Sequence, residues 1–348
     1  MAEKQKICTD VRVTRLPNAE VEIHATVRAE ALAPFRERAL QHLIADAELP
    51  GFRKGRVPEK MFMERVGEMR ILEEAAERAI AAAYLEIVES EELSPLGRPE
   101  VTVRTLAPGN PLEFSIKSAL TPTVSLPDYR ALAETIMRET EKPAEVPDAE
   151  LDKFIGQITK RESGAEGELT LEEVKKFGAF ESIDDFKGKV RAHLTEEKVR
   201  AGREKKRMRT IESIVDAATM EIPNILIESE LDRMAGQFEA DITRLGSTFD
   251  EYLKKTNKTA ETLRTEWRPD AEKRAKVQIA LNEIAVKESV VPPKDVVENE
   301  VKHLLERHAG LDAARARGYV ETLITNEEVF RFLENAAEKE EKGAAKES

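Results

Sequence analysis

Apolar and polar residues alternate with period two near the start of the chain. Val21, Ile23, Ala25 and Val27 are separated by Glu22, His24 and Thr26, the pattern of a strand with one buried face. Val11 and Val13 precede it, and Leu16-Pro17-Asn18-Ala19 supplies turn chemistry between the two runs. The period then becomes helical, with Phe35, Ala39 and Leu43 on one stripe and Leu40 and Ile44 beside it, stopping at Leu49-Pro50-Gly51. A second helix is predicted from Pro58, whose missing N–H suits a first turn, through Phe62, Val66, Ile71-Leu72, Ala75-Ala76, Ala79-Ile80 and Ala83 to about Val88. Its alanine face allows close approach to a sheet. The stretch from Leu93 to Pro99 ends it. Val101 and Val103, then Leu112, Phe114 and Ile116, alternate as strands around the turn Pro108-Gly109-Asn110-Pro111. These elements predict an α+β domain, an antiparallel sheet from which a helix–loop–helix protrudes.

From Thr121 to Pro147 the chain carries Pro122, Pro127, Pro143 and Pro147 and reads as an extended connector. Leu151, Phe154, Ile155 and Ile158 then mark one short helix, followed by Gly164-Ala165-Glu166-Gly167. Beyond it the pattern is helical almost throughout. Phe186, Val190 and Leu194 recur every four residues, and Ile227, Leu231, Met234, Phe238, Ile242 and Leu245 form a coiled-coil-like seam. That seam reads by default as interhelical core, with a client-binding surface as the alternative. Thr248 with Glu251 forms a capping box. Leu263, Trp267, Val277, Leu281 and Ile284 continue the pattern, and Pro269 should break or kink it. Two more helices carry Val297, Val301 and Leu304, and then Val320 to Leu333, before a frayed tail from Glu334. The domains expected are therefore an α+β unit over 1–120, a connector over 121–167, a helical domain with arms over 168–336 and a flexible tail over 337–348.

Composition fits this picture. Of the 348 residues 41% are hydrophobic, 5% aromatic and 35% charged, which suits long amphipathic helices with thin cores. A net charge of -13 argues against wholesale wrapping of nucleic acid. The basic stretch Lys198, Arg200, Arg203, Lys205, Lys206, Arg207 and Arg209 is interleaved with glutamates and reads as a solvated helix face before it reads as an RNA site. Cys8 alone excludes an internal disulfide and fits a reducing compartment. No apolar run approaches the ~20 residues of a membrane span, and none follows Met1 as in a secretory signal, so a cytoplasmic protein without membrane contact is expected.

No catalytic signature is found. There is no phosphate-binding glycine loop and no nucleophile elbow, and His24, His42, His193, His303 and His308 are scattered. His303 and His308, five apart, fall on different faces of their helix, so no metal site, cofactor or catalytic residue is expected.

The one strong local motif is Gly51-Phe52-Arg53-Lys54-Gly55-Arg56-Val57-Pro58. Two glycines bracket an aromatic and two cations, the composition of a binding hot spot. The alternative is that Phe52 folds back between the helices while the cations solubilise the turn. At the tip of a helix–loop–helix in a small α+β domain, the motif resembles the ribosome-docking signature of the bacterial trigger factor family. The stretches Glu168-Leu169-Thr170-Leu171-Glu172-Glu173-Val174 leading into Phe180-Glu181-Ser182-Ile183-Asp184-Asp185-Phe186, Ile222-Pro223-Asn224-Ile225-Leu226-Ile227-Glu228-Ser229-Glu230 and Tyr252-Leu253-Lys254-Lys255-Thr256 are similar to later parts of the same family.

The resemblance implies an ATP-independent chaperone that docks at the ribosomal exit tunnel, on a protein there and neighbouring rRNA, and holds nascent or unfolded polypeptides. Phe52, Arg53 and Lys54 would be its docking residues, and Gly51, Gly55 and Pro58 would shape the loop. Self-association in the family leaves a homodimer off the ribosome open. One departure is clear. The family usually carries a peptidyl-prolyl isomerase domain where this chain has only Pro147 to Glu168, too short for the ~50 residues a folded domain needs. A non-enzymatic chaperone is expected. The rivals are a ribosome-independent holdase or assembly chaperone, a residual isomerase, and a helical scaffold for one folded partner.

Overall fold

The computed structural model describes residues 6–48, 50, 52–139, 145–163, 169–308 and 310–344, with side chains described to 160 in the stretch 145–163 and to 335 in the last. The chain forms two compact units, each discontinuous in sequence: Met1–Val124 with Met220–Lys276, and Ser125–Thr219 with Val277–Ser348.

The first unit is built on a four-stranded antiparallel sheet of β1 (Cys8–Leu16), β2 (Glu20–Val27), β3 (Pro95–Thr105) and β4 (Leu112–Leu120), in the order β1-β2-β4-β3. Its register places Ile23 opposite Ile116, Ala25 opposite Phe114 and Val27 opposite Leu112, so the alternation in both strands loads one face. Helices α1 (Ala29–Asp46) and α3 (Glu68–Ser90) cover that face with Leu32, Ala39, Leu72, Ala75, Ala76, Ala79, Ile80, Ala83 and Ile87. The small alanines let α3 lie close to the sheet. Ser118, the polar intruder, shares a 2.9 Å hydrogen bond with Tyr84 Oη. Cys8 is buried in the same core, and burial, with Glu86 adding to it, pushes its thiol up to about 12.

Two local expectations change here. The single helix predicted from Pro58 to Val88 is two, α2 (Glu59–Val66) and α3, because Gly67 takes φ +85, a conformation that ends the helix. The stretch read as a terminator before Val101 is already strand from Pro95. Pro95 and Pro99 are tolerated because β3 is an edge strand whose outer N–H groups need no ladder partner.

The same unit holds a helical part. Helix α8 (Asn224–Arg244) buries Ile227, Leu231 and Ile242 of the predicted seam, while Leu245 beyond its end is 86% exposed. Helix α9 (Phe249–Thr256) begins with the predicted capping box: Thr248 Oγ1 accepts from Glu251 N at 3.3 Å, and Glu251 Oε2 accepts from Thr248 N at 3.2 Å. Phe238 meets Tyr252 edge-on at 4.9 Å and Trp267 at 5.2 Å. Trp267 lies on α10 (Ala260–Lys287), which runs unbroken past Pro269. Just before the proline two arginines tie the helix to α8: Arg264 donates to Asp232 (2.6 Å) and Glu228 (2.7 Å), and Arg268 to Glu228 (2.6 Å).

The second unit is helical: α4 (Tyr129–Met137), α5 (Asp148–Ser163), α6 (Leu171–Val174), α7 (Ile183–Ala217), the part of α10 from Val277, α11 (Lys294–Arg307) and α12 (Ala313–Ala344). The proline-rich stretch read as an extended connector thus contains α4. Asp128 caps it by accepting from Ala131 N at 3.1 Å, and Ala133 and Ile136 are buried where it packs on α7 and α12. The short helix predicted around Leu151 is α5, which packs with Val174, Phe186 and Leu194. The tail expected to fray from Glu334 continues as helix to Ala344, as its alanine, glutamate and lysine content favours.

The basic stretch on α7 is largely an exposed face, as expected, with Arg207 its buried exception and several of its other cations held by acceptors. Arg207 has only 7% of its side chain exposed and donates to Glu334 Oε1 (2.7 Å) and to Glu327 Oε2 (2.9 Å) and Oε1 (3.0 Å), both on α12. Arg203 donates to Glu334 Oε1 at 2.7 Å, Arg209 to Glu139 at 2.6 Å, and Lys206 to the carbonyl oxygens of Met137 and Glu139. No helix among the described residues is long and apolar enough to cross a membrane.

Candidate docking site

The loop between α1 and α2 owes its shape to a few backbone bonds. Ala47 N donates to Ile44 O (3.1 Å) as α1 ends, Gly55 N donates to Ala47 O (3.3 Å), and Arg56 N donates to Arg53 O (3.0 Å). The last two pinch the loop into a turn around Lys54 and Gly55. Gly55 takes φ +74, and a Cβ there would lie 3.0 Å from the carbonyl oxygen of Ala45, a backbone atom that cannot swing aside. Glycine is needed for both reasons. Gly55→Ala is expected to lower stability by roughly 1–2 kcal/mol, the penalty of the left-handed region plus the contact, read as a lower urea midpoint by circular dichroism.

The loop stands on a small apolar cluster. Leu40, Val57, Phe62 and Ile71 are buried together, flanked by Leu43, Ile44, Ala47, Met63 and Val66. Val57, not Phe52, is the loop residue that enters this core. Phe52 stays 36% exposed, above the level expected of a phenylalanine folded between two helices. Arg53, Lys54 and Arg56 are exposed beside it. Lys54 Nζ lies 4.0 Å from Asp46 Oδ1 and from Glu48 Oε1, open pairs of little energy that leave the ammonium available to a partner. Pro58 stands at the N-cap of α2, one residue ahead of the first turn in which it was expected, and its carbonyl accepts from Phe62 N at 3.0 Å. Gly51 lies outside the described residues.

The turn offers an exposed aromatic ring and three exposed cations, with the carboxylates of Asp46 and Glu48 beside Lys54, a set suited to recognition of an apolar and acidic partner. Among the described residues no group of three His, Cys, Asp or Glu side chains could hold a metal.

Comparison with known proteins agrees along the chain. The family model described as bacterial trigger factor protein matches residues 9–158, and the model for the C-terminus of the same protein matches 182–339. The trigger factor of Moorella thermoacetica is 23% identical over 387 aligned positions, covering 84% of this chain and 85% of the relative. That of Desulforudis audaxviator is 24% identical over 401 positions, covering 88% and 90%. Both alignments are longer than the chain's 348 residues, so these relatives carry segments that fall opposite gaps here. Residues 159–181, between the two matched stretches, are too few for a folded domain of ~50 residues. A solved trigger factor structure, from work on promiscuous substrate recognition in folding and assembly, superposes with a TM-score of 0.55 at 16% identity. It covers 94% of this chain and 99% of its own, a likeness of fold. With the family's N- and C-terminal patterns both matched, in order and over most of the length, the chain belongs to the bacterial trigger factor family.

Proposed function

We propose that the protein is a cytoplasmic, ATP-independent chaperone that docks beside the ribosomal exit tunnel and holds nascent or unfolded polypeptides while they fold. The family supports the chaperone role. The observation that carries the docking step is the exposed Phe52-Arg53-Lys54 turn, pinned by Gly55 and supported from below by Val57. In this reading Phe52 enters an apolar pocket on a ribosomal protein, Arg53 pairs with a carboxylate there, and Lys54 reaches an acidic group or an rRNA phosphate. Gly51, Gly55 and Pro58 hold the turn in the shape that presents them. The absence of a nucleotide-binding motif in the sequence supports a cycle without ATP, driven by weak contacts that are lost as a client folds. Self-association away from the ribosome belongs to the same reading.

The test is co-sedimentation with bacterial ribosomes of the parent chain and of a Phe52→Ala, Arg53→Ala, Lys54→Ala variant. Binding by the parent alone supports the docking loop; equal binding, or none by either, sinks it and favours a ribosome-independent holdase. The shortness of 159–181 further supports a chaperone without prolyl isomerase activity. A proline-limited refolding reaction should therefore proceed at its uncatalysed rate with substoichiometric protein. Catalytic acceleration would overturn the non-enzymatic reading.

A further inference from the structure

The docking loop is tied to two helices of unequal security. Its first end leaves α1, which is packed along α3 and the sheet. Its second end enters α2, eight residues long and too short to be stable by itself. Along the backbone helix α2 is joined to α3 through Gly67, at φ +85, where a Cβ would meet nothing within 4 Å, and Phe62 is its buried contact with Leu40 of α1 and Ile71 of α3. Left to the backbone, this is an open joint directly behind the loop.

One guanidinium spans that joint. Arg36, on α1, donates from Nε to Glu68 Oε1 (2.6 Å) and from Nη2 to Glu68 Oε2 (2.8 Å), a two-pronged pair with the first residue of α3. The same Nη2 lies 3.9 Å from Met63 Sδ on α2. Met63 also accepts, through its carbonyl oxygen, from Gly67 N at 2.9 Å. Arg36 thus touches the residue after the joint and the residue one turn before it. The hydrogen bond to Glu68 raises Arg36 above the usual arginine range, with the charges of Glu68 and Glu59 adding to it, and the bond from Arg36 holds Glu68 below the usual carboxylate range. Both groups stay charged at neutral pH. The planar, forked guanidinium fixes direction as well as distance, which an ammonium would not.

We propose that Arg36 and Glu68 form a positioning clamp for ribosome docking, holding α2 across Gly67 so that the loop presents Phe52, Arg53 and Lys54 in one arrangement. Neither residue need touch the ribosome. The inference rests on the docking reading above, and its effect should appear in ribosome affinity before it appears in folding or in client holding.

The experiment uses the full chain. Arg36→Met, Glu68→Gln and the double variant are titrated onto bacterial ribosomes beside the parent and the Phe52→Ala, Arg53→Ala, Lys54→Ala variant. Each protein is also tested for suppressing aggregation of chemically reduced, alkylated lysozyme without ribosomes, and for its thermal melt. Each single clamp variant should bind roughly three- to fivefold more weakly, the scale of one well-formed, partly open ion pair. The double variant should lose no more than either single one, because both remove the same interaction. Client holding and the melt should stay at the parent's values. Clamp variants that bind like the parent, while the triple-alanine variant fails, overturn the clamp and leave the docking loop standing. Losses that add in the double variant, or that come with a lower melt and poorer client holding, also overturn it, as a general structural role. If the triple-alanine variant binds normally, the docking reading falls and the clamp with it.

Discussion

Arg207→Met should lower the urea midpoint of the helical unit, with a loss of roughly 2–4 kcal/mol at pH 7, the scale of breaking a buried ion pair from one side. Methionine keeps the aliphatic stem that packs beside Phe330, over whose ring the guanidinium lies at 5.5 Å, and removes every donor. Glu334, with 15% of its side chain exposed, is then left to Arg203, and Glu327 to Arg331. Burial by itself would raise the Glu334 carboxyl, but hydrogen bonds from Arg203 and Arg207 outweigh it and bring it down to about 2 from an ordinary 4.5. A carboxyl depressed in the folded state adds stability that is complete above the unfolded value and lost as pH falls through the folded one. The advantage of the parent over Glu334→Gln should therefore be largest near neutrality and shrink as pH drops from about 5 toward about 2. Discounted for the solvent that still reaches this carboxylate, this component is on the order of 2 kcal/mol. Urea titrations followed by circular dichroism at several pH values read both effects. A midpoint unchanged by Arg207→Met would mean that the network orders α7 against α12 without stabilising them.

The triple substitution Phe52→Ala, Arg53→Ala, Lys54→Ala should weaken ribosome binding by about 100-fold or more, as expected when a buried aromatic anchor and its arginine are both truncated. The three side chains are unequal. On the proposed docking, Phe52 would lose an apolar pocket and Arg53 a directional pair, so each should slow dissociation in the parent. Lys54, already within 4.0 Å of Asp46 and Glu48, should mainly affect the association rate and its salt dependence. Stability should change by no more than about 0.5 kcal/mol, since the core beneath the loop is made by Val57, Phe62, Leu40 and Ile71. Affinity by fluorescence anisotropy and the melt by circular dichroism separate the two quantities. A large loss of stability would show that the loop braces the helix–loop–helix, and the binding result could then be credited only after single variants.

Features that depend on local spacing were legible along the chain. The alternation from Val21 to Val27 specified β2 and its buried face, because period two admits one core side. The Thr248–Glu251 capping box and the seam residues Ile227, Leu231 and Ile242 were legible for the same reason. The composition of the Gly51–Pro58 loop was legible too, since its glycines, aromatic and cations are contiguous. Residues far apart in sequence were decided by the tertiary structure. Helix α4 hides among prolines and forms because Ala133 and Ile136 find α7 and α12. Helix α10 runs on past Pro269, with Arg264 and Arg268 just before it bonded to α8, contacts that the proline pattern does not record. Leu245 continues the seam in spacing yet lies open, since the helix has ended beneath it. Arg207 reads as one of seven cations on a wet helix face, and only the arrival of Glu327 and Glu334, more than a hundred residues later, buries it. In the docking loop the same division holds. Its composition is local, but the need for glycine at 55 comes from the Ala45 carbonyl, and the joint at Gly67 is spanned by Arg36, thirty-two residues before Glu68. Periodicity records which face of an element is apolar; it carries no record of which distant charge will meet that face.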